Sequence, residues 1–101
     1  MDQHERLRTF AYLARGVIDE LADGTLTPEA GISAFFDYEN IAYVDRTLRN
    51  KHAIDIMSRG VQLPDLFDIL APAVAKQELK NEIAKMRKAC QKLTGRTLAA
   101  A

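Results

Sequence analysis

The chain has a single cysteine, no tryptophan, three prolines and five glycines. One thiol excludes an internal disulfide and any site built from several thiolates. That thiol, Cys90, falls on a regularly spaced apolar row, where cysteine acts as a small hydrophobe; packing is its expected role, ahead of redox or nucleophilic chemistry. No glycine-rich loop is present to cradle a phosphate, and Ser33 and Ser58 lack the glycines of a nucleophile elbow. The two histidines, His4 and His52, are far apart in the chain. His52 and Asp55 offer two ligands at i,i+3 spacing, and no third follows at helical spacing, so no metal is expected. With these motifs missing, neither a cofactor nor an enzymatic activity is expected.

Long apolar runs are missing too. No segment approaches the roughly 18 residues of a membrane span, and the start, MDQHERLRTF, is polar and mixed in charge, unlike a signal peptide. The expectation is a cytoplasmic protein with no membrane segment. Strand signals are nearly absent, with no alternating β-branched run and no hairpin turn between two such runs.

What is present is helical. At 101 residues, with 48% hydrophobic and 28% charged side chains, the chain suits one globular domain spanning residues 1–101. Leu7, Phe10, Ala11, Ala14, Val17, Ile18 and Leu21 recur on one face of a helix from Gln3 to Asp23, and Gly24 suits a left-handed cap. Gly16 interrupts that helix at some cost, which a close approach by another helix would explain. Thr27-Pro28-Glu29 opens a second helix: an N-cap oxygen, a proline at the first position and a carboxylate at the positive end of the dipole. Asp37 to Asn40 reads either as a turn or as a bend in a continuing helix. A third helix is expected over about Ile41 to Ser58, capped by Arg59-Gly60, and a short fourth from Pro64 to Leu70.

The last helix runs from Pro72 to Thr94, stopped by Gly95, with residues 96–101 fraying. Its apolar seam of Leu79, Ile83, Met86, Cys90 and Leu93 has the a/d rhythm of a coiled coil. The seam is too short for a sustained coiled coil, which places it along the chain's own bundle. The fold class is therefore all-α, a compact bundle or orthogonal array of four to five helices with a long C-terminal helix. The expected core comprises Leu7, Phe10, Val17, Ile18, Leu21, Ile32, Phe35, Phe36, Val44, Leu48, Ile54, Leu66, Phe67, Ile69 and Leu70.

Net charge is zero, but residues 1–45 hold three basic against nine acidic side chains, and residues 46–101 eleven against five. A fold that brings the halves together cancels much of that field.

Two surfaces are candidates for binding. Tyr38, Glu39, Tyr43, Arg46, Arg49 and His52 fall in or beside one polar helical stretch and include the aromatic and arginine types enriched in binding hot spots. Glu39, Tyr43 and Arg46 share a face at spacings of four and three, and Asp45 with Arg49 forms an i,i+4 ion pair. A solvated face of weak ion pairs is the plainer reading of the same residues. The second surface is the basic edge of the last helix, Lys85, Arg87, Lys88 and Lys92.

The function expected is non-catalytic binding of a protein partner, as a regulator or inhibitor, with homo-oligomerisation an open alternative. The other alternative is DNA binding, since residues 26–50 have the outline of a helix-turn-helix with Arg46 and Arg49 on the second helix. Against nucleic acid stand Glu39 and Asp45 on that helix and the acidic helix before it, which phosphates would repel.

Overall fold

The structure, a computed structural model, describes residues 2–94. The expected stop at Gly95 and the fraying of residues 96–101 lie outside the described residues. Those described form five α-helices: α1 (Gln3–Asp23), α2 (Pro28–Ala34), α3 (Tyr38–Tyr43), α4 (Lys51–Ile69) and α5 (Pro72–Thr94). A π-helical segment, Val44–Leu48, continues α3. No strand occurs among them, and none of these helices is long and apolar enough to cross a membrane.

Local chemistry sets most of the boundaries. Asp2 accepts from the Glu5 amide at 2.8 Å, Thr27 from Ala30 at 3.1 Å, Asp37 from Asn40 at 2.7 Å and Asn50 from His52 at 2.8 Å, so α1 to α4 each start on a side-chain cap that satisfies an otherwise orphaned amide. Gly24 closes α1 at φ 83°, a conformation open to glycine because it has no Cβ. Asp37 to Asn40 is thus a helix start, and the capping Asp37 resolves its two sequence readings.

The expected third and fourth helices are divided differently from the sequence pattern. The break falls at Arg49-Asn50, where Arg49 adopts a left-handed φ of 48° and Asn50 caps a new helix. From there α4 runs unbroken through Arg59-Gly60, expected to end a helix, and through Pro64, expected to begin one. Proline removes the amide that would have bonded the Gly60 carbonyl. The helix persists because its buried row of Ala53, Ile56, Met57, Gly60 and Leu63 extends across both positions.

α5 packs against α4 and α1, and its seam closes the core: Ile83, Met86 and Cys90 are buried, with Leu79 and Leu93 half-buried beside them. An aromatic cluster holds the other side, with the Phe35 ring 5.6 Å from Phe10 and 5.3 Å from Phe36 in a T-shaped arrangement. Phe36 is wedged onto α4: a Cβ built on Gly60 would sit 2.3 Å from its ring. Gly60 is there because α2 and Phe36 approach closer than any side chain permits.

Of the expected core, Phe10, Ile18, Leu21, Phe35, Phe36, Val44 and Leu48 are buried, and Leu7, Val17, Ile32, Leu66 and Leu70 are half-buried. Ile54, Phe67 and Ile69 are exposed instead. Ile54 lies one position off the row that faces the core, because the left-handed Arg49 resets the helical phase; Phe67 and Ile69 lie in the last turn of α4, beyond its buried row, which ends at Leu63. Gly16 has nothing within 4 Å of its Cβ position among the described residues, so none of the described helices approaches it.

The two glycines should answer the same substitution with opposite signs. Gly60→Ala should lose about 1–3 kcal/mol of stability by overpacking against Phe36, even though alanine gains up to ~1 kcal/mol in a helix. Gly16→Ala should gain about 0.5–1 kcal/mol, because its surroundings are open. Urea unfolding followed by circular dichroism checks both, and a neutral or stabilising Gly60→Ala would contradict the wedge.

Candidate functional site

Asp37 starts α3 next to the buried Phe36, and the Asn40 side chain donates to the Phe35 carbonyl at 2.9 Å, tying α3 to the end of α2. The π segment then widens the turn, with the Arg49 amide bonding the Val44 carbonyl at 2.9 Å across five residues. Gln3 of α1 donates to the Leu48 carbonyl at 2.6 Å, satisfying an acceptor that the break leaves free. Arg49 is folded back, its Nε donating to the Arg46 carbonyl at 3.2 Å. After the break, α4 returns alongside α3 and the π segment.

Between them lies a groove of about 550 Å³. Its floor and walls are apolar: Ile41, Ala42 and Val44 on one side, Ile54, Met57 and Val61 on the other. Tyr38, Asp45, Arg46 and Ser58 supply its polar edge. Tyr38 is 84% exposed and Ile54 40%, large apolar surface left uncovered beside a concavity.

Of the residues singled out in the sequence, Tyr38 and Arg46 line this groove. Glu39, Tyr43 and Arg49 are exposed but outside its lining, and His52 is half-buried near the start of α4. The expected Asp45–Arg49 ion pair does not form, because π winding and the left-handed Arg49 replace the α-helical i,i+4 spacing on which it depended. The helix-turn-helix outline over residues 26–50 resolves into α2 and α3, α-helices of only seven and six residues, the second passing into the π segment.

Tyr38 and Arg46 apart, the sequence pattern assigns none of the groove residues to a site, Ile41, Ile54 and Val61 among them. A signal for two of them exists: Ile54, Ser58 and Val61 follow at four and three along α4, beside the core row, so its apolar face is broader than the core needs.

The basic edge of α5 is partly neutralised within the fold. Arg87 reaches Asp19 of α1 at 2.6 Å and Lys85 reaches Glu82 at 3.3 Å. Lys88 and Lys92 are exposed and pair with no carboxylate among the described residues. Beside Asp55, paired with His52 by spacing in the sequence, stands Arg59, which donates from Nε to Asp55 at 2.9 Å and from a terminal nitrogen to Glu82 at 2.9 Å. Both carboxylates reinforce the Arg59 charge, Asp55 most. No group of three potential His, Cys, Asp or Glu metal ligands occurs among the described residues.

Cys90 is buried, with its thiol donating to the Ala11 carbonyl at 3.2 Å. Burial pushes its pKa up, Arg15 opposes that and Asp19 adds to it. A pKa raised in the folded state gives stability that is whole below the unfolded thiol value, about 8.5, and that is lost as pH climbs from there through the folded value. The stability advantage of wild type over Cys90→Ala, about 1–2 kcal/mol at neutral pH from lost packing, should therefore shrink progressively over the range above about pH 8.5. Paired urea titrations across that range measure it; a constant gap would mean the thiol is not protected.

Comparison with protein-family models, with curated proteins and with solved structures finds no match to this chain.

Proposed function

We propose that this chain is a non-catalytic binding module that docks a protein partner in the groove between α3, the π segment and α4, and regulates or inhibits that partner. The observation that carries this reading is the juxtaposition of an apolar groove of about 550 Å³ with an exposed tyrosine and an arginine at its edge. Tyrosine and arginine are among the residue types in which binding energy concentrates once a partner covers them. The π segment adds support, since such segments are frequent at functional sites.

The basic edge of α5 supplies a second contact in this reading, reduced to Lys88 and Lys92 where Lys85 and Arg87 are already paired. Self-association is the variant in which the partner is another copy. DNA binding has less support: the second of its two helices has six α-helical residues and carries Glu39 at its start, facing the phosphates with like charge.

The test is affinity capture from the native cell, with the wild-type chain and three surface variants as bait: Tyr38→Ala, Ile54→Asp, and the double charge reversal of Arg46 and Arg49 to Glu. Each position is exposed, so circular dichroism should be unchanged. A specific partner should be retained by wild type and weakened about tenfold or more by Tyr38→Ala and Ile54→Asp. A partner held equally by all four baits would place the binding surface elsewhere. Sedimentation of the purified chain separates self-association, and a mobility-shift series in salt separates DNA.

A further inference from the structure

A second concavity lies at the opposite end of α4, where it meets α5. We infer that it is a docking groove for a cationic amphipathic helix of a partner protein, distinct from the groove of the proposed function. It holds about 420 Å³ and is floored by Leu63, Leu66, Ile69 and Leu70. Ile69, in that lining, is 78% exposed, and Val74 of α5, outside the lining, is 50% exposed. Large aliphatic side chains at that exposure, around a concavity, are surface that a partner would cover.

The charge around the floor selects the partner. Asp65, Glu78 and Glu82 line the groove, against a single cation, Arg59. Arg59 is already committed to Asp55 and Glu82, each at 2.9 Å. Glu82 is also met by Lys85. The carboxylates of Asp65 and Glu78 have no cation among the described residues, and Glu78 accepts only from the Asn81 amide, at 3.2 Å. The groove thus presents an apolar floor with unneutralised negative edges, complementary to a helix with leucine-type side chains on one face and lysine or arginine beside them. From Arg59 to Ile69 the wall extends about 15 Å along the α4 axis, room for about three turns of a partner helix.

The probe is a peptide of about 14 residues built from leucine and lysine in amphipathic helical order, titrated into the full chain and followed by anisotropy and amide NMR shifts. Controls are the same pattern with glutamate for lysine, and a scrambled leucine–lysine peptide. Saturable binding of the cationic amphipathic peptide, with shifts confined to residues near 62–82, is expected. The Asp65→Lys, Glu78→Lys double variant should weaken it at least tenfold, Ile69→Ser should weaken it severalfold, and added salt should weaken it further. Ile54→Asp, in the other groove, should leave it unchanged, which separates failure of this groove from failure of the first. Equal binding of all three peptides, no saturable binding, indifference to the charge reversal, or shifts elsewhere would overturn the assignment. A concentration-dependent dimer of the chain that the double variant abolishes would also overturn it, making the occupant a second copy.

Discussion

The Phe36 ring occupies the space where position 60 would otherwise carry a Cβ, and much of the molecule hangs on that contact. It anchors the end of α2 to the middle of α4 and fixes where the chain re-emerges to form α3. It also accounts for Gly60, one of two residues that look wrong for a helix interior. Gly60 gives up helix propensity so that the ring can approach, and Pro64 leaves the carbonyl of that same glycine without its usual amide. A helix isolated in water would break there. This one is held by the buried row on either side, because most helical stability in proteins comes from packing an amphipathic face.

The break at Arg49-Asn50 has the opposite character: nothing in hydrophobic spacing forces it, yet it shapes the surface. The π segment, the left-handed Arg49 and the Asn50 cap turn what reads as one helix into two segments lying side by side. Ile54, assigned to the core by periodicity, instead joins Ile41 in walling a groove as a result. Gln3 of α1 reaches across to the Leu48 carbonyl, so the first helix braces the turn that defines the groove.

Charge follows the same division between local and global. The acidic first half and basic second half do meet, through Arg87 and Asp19 between α5 and α1. Exposed pairs of this kind contribute little to stability, about 0–1 kcal/mol. Their consequence is for the surface, since they remove Arg87 from a basic edge that otherwise reads as continuous. Conversely, the net basic half contains an acidic groove, where Asp65 and Glu78 make no ion pair among the described residues. Net charge per segment hides both facts because charge acts over about 10 Å of space, not over stretches of sequence.

The all-α class, the span of α1, the starts of α2 and α5 and the burial of the α5 seam were readable from the residues alone. They rest on signals within one or two turns: caps, a proline at a first helical position, a glycine at a positive φ, a three-four apolar rhythm. Tertiary packing decided the rest. It carried α4 through Gly60 and Pro64, moved the break to Arg49, and exposed Ile54, Phe67 and Ile69. It also parted Tyr38 and Arg46, which share a groove, from Glu39, Tyr43 and Arg49, which do not line it. The physical reason is that capping and periodicity are local energies of about 1 kcal/mol each, whereas burying a ring such as Phe36 is worth about 2–3 kcal/mol. Which residues lie beside that ring is set by chain segments far away in sequence.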